Sequence, residues 1–187
     1  ILRKNADMEM VMQEPTVTQT HLDLFEKYHT HMKHKRDWSH EKTTPRHYYM
    51  SFVHGHGEFG YEILYHIGGQ LVGVDLIDIL PNGISSIYFY YDPDFDKLSL
   101  GTYSMLRQIE IAKKLGLDWI YMGYYVQGCQ SLEYKSRYTP YHVLQGRLPL
   151  RHGVPRDAVV SVEVPGVGHV DPDAAFVVPG VDLHVGL

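Results

Sequence analysis

Three runs of strand-forming residues, separated by two tight turns, occupy the middle of the chain. The runs span residues 61–67, 70–80 and 84–91 and are rich in β-branched and aromatic side chains. Gly68-Gly69 is a two-residue hairpin signal, and a Pro-Asn-Gly turn signal follows at residues 81–83. Because strands joined by such short turns run in opposite directions, the pattern predicts three antiparallel strands in a row.

Helical periodicity lies on both sides of this meander. Residues 18–36 place apolar side chains on one face, with threonines before them and a basic last turn. The segment after Ser99 has the same periodicity and reaches Gly116, a residue typical of the position after a helix. A further apolar run at residues 118–126 predicts a return strand. We therefore expect an α+β, or layered α/β, fold with a mixed, largely antiparallel sheet and packed helices.

The composition is that of a globular chain with one principal domain. Hydrophobic residues make up 44% and charged residues 21% of the 187 positions. No apolar run has the ~18 residues of a membrane span, and the amino end has no signal-peptide core. We expect a cytoplasmic protein without a membrane partner. Residues 1–147 are predicted to form the domain, and residues 148–187, which contain no lysine, a Pro/Gly/Val-rich and partly mobile extension.

The charge of the chain limits how it could contact nucleic acid. A formal net charge of −5 argues against binding through an overall positive field. Any such contact must be local, and ordinary solvated charge is the alternative for each basic group. The candidate groups are Lys33 to Arg36, Lys135 with Arg137, and the arginines Arg147, Arg151 and Arg156.

Thirteen histidines raise the question of a metal site. On the predicted helix, His31 and His34 could share a face, but His29 points elsewhere. His54 and His56 could share a strand face, yet no carboxylate stands at a recognisable ligand spacing. The single cysteine, Cys129, cannot build a cysteine-rich zinc site. No metal site is predicted.

The stretch YYDPDFDKLSLGTYS, residues 90–104, joins a strand to a helix through an acidic corner. Its three alternate aspartates resemble the start of a calcium loop, but Pro93 and the missing glycine and terminal glutamate argue against calcium. A helix that begins at Ser99 to Gly101 would point backbone N–H groups at an anion or a developing oxyanion. A plain helix start is the alternative interpretation.

A second loop mixes aromatic, basic and thiol side chains. The segment YYVQGCQSLEYKSRYTP, residues 124–140, leaves the predicted return strand. Tyrosines beside Lys135 and Arg137 suit nucleotide stacking or the recognition of an acidic group. Cys129 could act as a nucleophile only beside a base, and a buried inert thiol is the alternative.

Taken together, five motifs in one order carry a resemblance to a known family. They are V-x-x-I-D-I-L-P, S-S-x-Y-x-Y-Y-D-P-D, S-L-G-x-Y-S, G-Y-Y-x-x-x-C and Y-K-x-x-Y-x-P. With the opening LRKNADMEM, they make residues 1–147 resemble the carboxy-terminal domain of the aminoacyl-tRNA–protein transferases. The extension after about residue 150 departs from the pattern.

This resemblance implies a fold, a reaction and partners. The fold would be similar to that of the GNAT acetyltransferases, with aminoacyl-tRNA as co-substrate and no cofactor in this domain. The reaction would transfer leucine or arginine from tRNA to the α-amino group of proteins that begin with Asp or Glu, and so mark them for N-degron degradation. The family's cysteine-containing amino-terminal domain is absent from this chain, which begins at Ile1.

The resemblance also implies roles for particular side chains. The corner at Ser99 would hold the ester end, tyrosines would wall the cleft, and Asp78 or Asp92 would orient the amine or accept its proton. The expected catalytic residues are Asp78, Asp92, Ser99, Gly101 and Tyr125. The expected substrate-binding residues are Tyr88, Tyr90, Arg107, Lys135 and Tyr138, of which Arg107 and Lys135 would bind the acidic side chain of the acceptor.

Two other functions fit the same architecture. One is a coenzyme A-dependent N-acyltransferase, although SLGTYS has one glycine where such enzymes carry a longer glycine-rich loop. The other is a non-catalytic module that binds peptide or RNA. The donor amino acid stays open between leucine and arginine, and Gln108 favours leucine because arginyl enzymes are associated with Glu at this place.

Overall fold

The computed structural model describes residues 1–55, 57–125, 132–145 and 158–164. Cys129, His56, Arg147, Arg151 and Arg156 lie outside these residues. Among the described residues, the first of two compact units comprises residues 1–78 and 88–107. The second comprises residues 79–87 and the described residues from 108 onward.

Three α-helices and seven strands make up the described elements. The helices are α1 (Gln19–Arg36), α2 (Pro45–Phe52) and α3 (Leu100–Leu115). The first four strands are β1 (Glu9–Gln13), β2 (Gly60–Ile67), β3 (Gln70–Leu80) and β4 (Gly83–Tyr91). The others are β5 (Trp119–Tyr125), β6 (Tyr141–Gln145) and β7 (Ala158–Glu163). Short 3₁₀ turns occupy Leu2–Asn5, Pro93–Leu98 and Glu133–Arg137.

The strands form a mixed, mostly antiparallel sheet, as predicted. In the first unit β2 pairs antiparallel with both β1 and β3. The hairpin between β2 and β3 turns at Gly68 and Gly69, whose φ angles of 56° and 79° suit a two-residue turn that closes a hairpin. In the second unit β4 runs parallel to β5, and β7 pairs antiparallel with both β5 and β6.

Strand β7 comes from the segment that was expected to be an extension. Its sequence VSVE alternates apolar and polar side chains, as strands do, and β7 is hydrogen-bonded on both sides. Residues 158–163 are therefore an interior strand of the sheet, because β5 lies on one side of them and β6 on the other. The domain boundary after residue 147 stays a prediction, since most of the extension lies outside the described residues.

The helices begin and end where their capping residues stand. Thr18 has extended backbone angles, and its side chain accepts the N–H of His21 at the start of α1. Asp37 ends α1 in the left-handed conformation, and Gly116 follows α3 with φ of 71°. The predicted ends of both long helices are confirmed. No helix in the described part of the chain combines the length and apolar character that a bilayer crossing needs.

The core of the first unit is aromatic. Phe25 of α1 contacts Tyr48 and Phe52 of α2, with ring centroids 5.6 and 5.8 Å apart, and Tyr90 of β4 at 5.2 Å. These rings pack with aliphatic side chains of β2 and β3. Rings that meet edge to face at such distances add to the free energy gained by burial. The core therefore fixes α2 against α1.

Candidate functional site

The first aspartate of the acidic corner is a buried cap. Asp92 follows β4, is 3% exposed, and accepts the backbone N–H of Asp94 at 3.0 Å. The ammonium of Lys27 lies 2.6 Å from its carboxylate, and the amide of Gln70 donates to it at 3.3 Å. Each carboxylate oxygen is thus already bonded. Asp92, expected as a catalytic residue, shapes the loop in this structure.

The other two aspartates also bond to lysines of α1. Asp94 lies 2.7 Å from Lys27, and Asp96 lies 2.9 Å from Lys35. The hydroxyl of Tyr91 also donates to Asp96 at 2.7 Å. Hydrogen bonds from Lys35 and Tyr91 lower the pKa of Asp96. These ion pairs therefore hold the loop that leads into α3 against α1.

The start of α3, which was expected to face the reacting ester, turns at Ser99 and is open at Gly101. Ser99 adopts the left-handed conformation with φ of 56°, and its own N–H donates to the carbonyl of Asp96 at 3.1 Å, so this group is not available to an oxyanion. The carbonyl of Ser99 accepts the N–H groups of Thr102 and Tyr103 at 3.0 Å. The side chain of Asn5 donates to the carbonyl of Leu98 at 3.1 Å and holds the preceding turn. Gly101 is exposed, and a Cβ there would meet no atom within 4 Å. Nothing in the described chain covers Gly101, so a ligand can approach it.

The two expected cleft tyrosines of β4 have different surroundings. Tyr88 is half-buried, and its hydroxyl lies 2.8 Å from Nε2 of His29. Because Nδ1 of His29 lies 2.9 Å from the carbonyl of Phe25, Nδ1–H donates there and Nε2 accepts from Tyr88. Burial lowers the pKa of His29, which favours this neutral ring. Tyr90 is completely buried and its hydroxyl bonds that of Tyr48 at 2.6 Å, so it packs the core and does not wall a cleft.

A buried carboxylate on β3 was not among the predicted site residues. Asp75 is fully buried and accepts a short hydrogen bond from the hydroxyl of Ser104 on α3. The expected residue Asp78 is half-exposed and pairs across the sheet with Gly60. The alternation of strand side chains could have shown that Asp75 and Asp78 face opposite ways, but not which of them faces α3.

Arg107 lies on the same helix, one turn after Tyr103. Its Nε donates to the hydroxyl of Tyr103 at 2.9 Å, and its guanidinium carbon stands 4.9 Å from the centroid of that ring. A guanidinium at this distance is attracted by the ring's quadrupole. The side chain is therefore oriented before any substrate arrives.

In the second unit, β4 and β5 are paired over only three residues on each strand. The pairs run from Gly83 with Trp119 to Ser85 with Tyr121. We call the point after these pairs, where the strands separate, the fork. The amide of the buried residue Gln108 donates to the hydroxyl of Ser86, the first residue of β4 beyond the pairs, at 3.2 Å.

Strand β5 also bulges at the fork, and a lysine lies against the bulge. The register with β7 shifts between Tyr121 and Gly123, where Gly123 has φ of 75°. The ammonium of Lys135 donates to the carbonyl of Tyr124 at 2.6 Å, and a Cβ on Gly123 would stand 3.9 Å from it. Burial lowers the pKa of Lys135, because the charged form is costly away from water. Tyr125, half-exposed, ends the strand.

Comparison with known proteins decides the family. The family model for the C terminus of arginine-tRNA-protein transferases matches residues 20–145. The chain belongs to this family. The resemblance drawn from the five motifs is thereby confirmed.

Relatives of the transferase family share long segments with this chain. An aspartate/glutamate leucyltransferase of Campylobacter jejuni is 47% identical over 146 residues, which are 78% of this chain and 61% of that protein. The protein of the same name from Helicobacter hepaticus is 46% identical over 145 residues, 78% of this chain and 60% of that protein. Arginyl-tRNA–protein transferase 1 of Dictyostelium discoideum is 48% identical over 95 residues, which are 48% of this chain and 15% of that protein. The chain spans about three fifths of the length of the bacterial relatives.

Solved structures show the predicted acetyltransferase-like fold. The ribosomal-protein-S18-alanine N-acetyltransferase of Escherichia coli has a TM-score of 0.54 at 10% identity and covers 90% of this chain and 100% of its own. The PaiA N-acetyltransferase of Thermoplasma acidophilum, solved with coenzyme A, has a TM-score of 0.54 at 13% identity, over 83% of this chain and 99% of its own. At such low identity the likeness concerns the fold alone.

The expected transferase residues fall into two groups. The first unit contains the loop, the helix start, Asp78, the two β4 tyrosines and Arg107. The second unit contains Tyr125, Lys135 and Tyr138, whose backbone N–H bonds the carbonyl of Lys135 at 3.4 Å. Within the described residues, no three His, Cys, Asp or Glu side chains converge in a metal-binding arrangement.

Proposed function

We propose that this chain is the aminoacyl-transfer domain of an enzyme that moves an amino acid from aminoacyl-tRNA to proteins that begin with Asp or Glu. The observation that carries the proposal is the 47% identity over 146 residues to an aspartate/glutamate leucyltransferase. Leucine is the proposed donor amino acid, because the arginyl relative matches only 48% of this chain. The proposed location is the cytoplasm, and the proposed consequence is N-degron degradation of the product.

The reaction is an aminolysis of the ester that joins the amino acid to tRNA. The α-amino nitrogen of the acceptor attacks the ester carbonyl, a C–N bond forms, and the C–O bond to the ribose breaks. The proton lost by the amine ends on the ribose hydroxyl. Because an α-amino group titrates near pH ~8, an appreciable fraction is neutral at pH 7 and no strong base is needed. Positioning and oxyanion stabilisation then supply most of the acceleration.

The proposed roles follow the geometry of each unit. In the first unit, the backbone N–H groups of Leu100 and Gly101 stabilise the developing oxyanion, while Ser99 turns the chain into α3 and Asp92 holds the preceding loop. Tyr88 contacts substrate, with His29 fixing its hydroxyl. In the second unit, Lys135 binds the acidic side chain of the acceptor, because a buried ammonium bonded to one carbonyl keeps two N–H donors for a carboxylate.

One assay with three arms tests the proposal. Full-length protein that contains this chain is incubated with an Asp-starting peptide and either leucyl-tRNA or arginyl-tRNA, and the peptide mass is measured. A third arm offers acetyl-coenzyme A. We expect the mass of one leucine to be added in the first arm only. Acetylation would favour the coenzyme A-dependent alternative, and no transfer in any arm would favour the binding-module alternative.

Lys135→Met is expected to lower kcat/KM for Asp-starting peptides about ten- to a hundredfold. The estimate follows from a lost charged hydrogen bond of about 1.5–3 kcal/mol, with a factor of ten per 1.4 kcal/mol. Because burial lowers the pKa of Lys135, the wild-type enzyme should also lose affinity for acidic peptides at alkaline pH, where the ammonium loses its proton, and the variant should lack this dependence.

The matched control for this prediction is Lys113→Met, which removes an exposed lysine from the last turn of α3. It should leave kcat/KM unchanged. A peptide that begins with Ala reports the selectivity. If Lys135→Met lowers the slow transfer to Ala and the transfer to Asp by the same factor, the lysine does not read the acidic side chain.

Gly101→Ala separates a functional helix start from a plain one. The open space around Gly101 admits a methyl group, and alanine is the better helix former, so the free energy of unfolding should rise by up to about 1 kcal/mol. Transfer should fall at least tenfold, because the methyl group would stand where the ester approaches. Thr102→Ala at the exposed neighbouring position is the control. Increased stability with unchanged transfer would show that no substrate approaches here.

A further inference from the structure

The charges of this acidic chain are segregated along the sequence. Residues 33–54 contain five lysines and arginines against two acidic residues, a net charge of +3, and also four histidines. The whole chain has a net charge of −5, so the remainder carries −8. A protein of this kind can attract a polyanion only through a local basic surface.

Several of these basic side chains are exposed in the structure. Lys33, Lys42 and Arg46 are exposed, and none of them forms an ion pair with another described residue. Arg46 and His47 stand in the first turn of α2, which contains no acidic residue. Because cations there oppose the helix macrodipole, these residues are not explained by helix stability.

The same helix exposes large apolar side chains beside its cations. Tyr49 is 44% and Met50 is 52% exposed. They stand three and four residues after Arg46, and therefore on the same face of α2. The ring of His54 lies 5.9 Å from the ring of Tyr49. An exposed aromatic side chain beside a cation provides a face on which an unpaired base can stack.

The opposite face of α2 anchors the helix in the core. Tyr48 is almost fully buried against Phe25 of α1. The loop before α2 is also held, because His40 lies 3.0 Å from the carboxylate of Glu26 and stacks on His29 at 4.8 Å. The exposed side chains therefore project from a fixed scaffold, which reduces the conformational entropy lost on binding.

We propose that the exposed side chains of this segment form a surface that binds the sugar-phosphate backbone and one unpaired base of the tRNA. We define this α1–α2 surface by Lys33, Lys42, Arg46, His47, Tyr49 and Met50. The inference rests on the proposed function, which makes a tRNA the co-substrate. RNA fits better than an acidic peptide, because several separate cations match a row of phosphates and the exposed tyrosine matches a base.

The test measures tRNA binding without transfer. Labelled, uncharged tRNA that accepts leucine is titrated with full-length protein at 50–200 mM KCl, and affinity is read by fluorescence anisotropy. The double variant Lys42→Gln/Arg46→Gln should bind at least about tenfold more weakly at 50 mM, with a salt slope smaller by about 1.4–1.8. Tyr49→Ala should lower affinity about five- to a hundredfold with an unchanged slope. Lys113→Gln/Lys114→Gln, on the last turn of α3, should change neither quantity.

Kinetics with charged tRNA distinguish the possible outcomes. The proposed surface predicts that the double variant raises KM for aminoacyl-tRNA and leaves KM for the Asp-starting peptide unchanged. If the double variant keeps the tRNA affinity and the salt slope of the wild type, the inference is overturned. If its KM for the peptide is raised at the same time, the surface binds the protein acceptor instead. If the wild-type protein binds tRNA through these residues but transfers no amino acid, the proposed function fails while the surface stands.

Discussion

Replacing Asp92 with alanine is expected to lower the free energy of unfolding by about 2–3 kcal/mol. The carboxylate is buried and accepts the backbone N–H of Asp94, which caps the turn between β4 and α3. Loss of such a cap costs about 1 kcal/mol, and loss of the charged hydrogen bonds adds about as much or more. The ion pair with Lys27 contributes less than its 2.6 Å distance suggests, because Lys27 is 43% exposed. Urea unfolding followed by circular dichroism measures the change.

Asp94→Ala is the matched control, because Asp94 bonds the same lysine from the surface. Its side chain is 76% exposed, so its loss should cost less than about 0.5 kcal/mol. If both variants lose the same free energy of unfolding, the stabilisation comes from the Lys27 ion pairs and not from the cap. Asp92→Asn should keep the cap and lose only the charge, and should therefore fall between the two.

The consequence for activity follows from what the turn supports. The residues from Pro93 to Leu98 lead directly into Ser99, whose left-handed conformation sets the first turn of α3. If α3 stabilises the oxyanion, Asp92→Ala should lower kcat more than it raises KM for either substrate. A catalytic role for the carboxylate itself would instead make Asp92→Asn as inactive as Asp92→Ala.

The sequence predicts the meander and the long helices because their signals are local. Two turn signals and the apolar runs between them determine β2, β3 and β4 without reference to distant residues. Periodicity and capping residues do the same for α1 and α3. These elements agree in local propensity, pattern and turn chemistry, and such agreement is what makes a segment predictable.

Three elements, β1, β6 and α2, escaped prediction, and for β1 and α2 the reason can be identified. β1 has only five residues and is specified by its pairing with β2 along the register from Glu9 with His66 to Gln13 with Glu62. α2 carries apolar side chains on its exposed face as well as its buried one, with Tyr49 and Met50 outside and Tyr48 inside. α2 also has only eight residues, which is fewer than the window of about 11–18 residues over which helical periodicity is read.

The sequence points to a candidate region, the loop and helix start, but it does not show the surroundings of the side chains there. Their burial depends on tertiary contacts. Tyr88 and Tyr90 stand two residues apart and therefore on the same face of β4. Even so, Tyr88 is half-exposed and bonds a histidine, whereas Tyr90 packs in the core. Likewise, nothing local shows that Lys27, 65 positions before Asp92, is its partner.

Gly83→Ala is expected to be the most destabilising substitution considered, with a loss of about 3 kcal/mol. A Cβ at Gly83 would lie 2.6 Å from the carbonyl oxygen of Trp119 and 2.7 Å from a ring carbon of Tyr121. Both distances are far shorter than van der Waals contact. The substitution must therefore push β4 and β5 apart within the three paired residues on each strand. Thermal and urea unfolding measure the loss, and Gly101→Ala, which meets no atom, is the control.

A second substitution tests the cause of this loss. Tyr121→Ala removes the ring from the path of the new methyl group but leaves the carbonyl of Trp119 in place. That carbonyl belongs to a strand whose position is fixed by its pairing with β7. The double variant Gly83→Ala/Tyr121→Ala should therefore recover only part of the stability lost, relative to Tyr121→Ala alone. Full recovery would mean that the ring alone requires glycine, and the backbones of β4 and β5 would then tolerate a side chain where the fork begins.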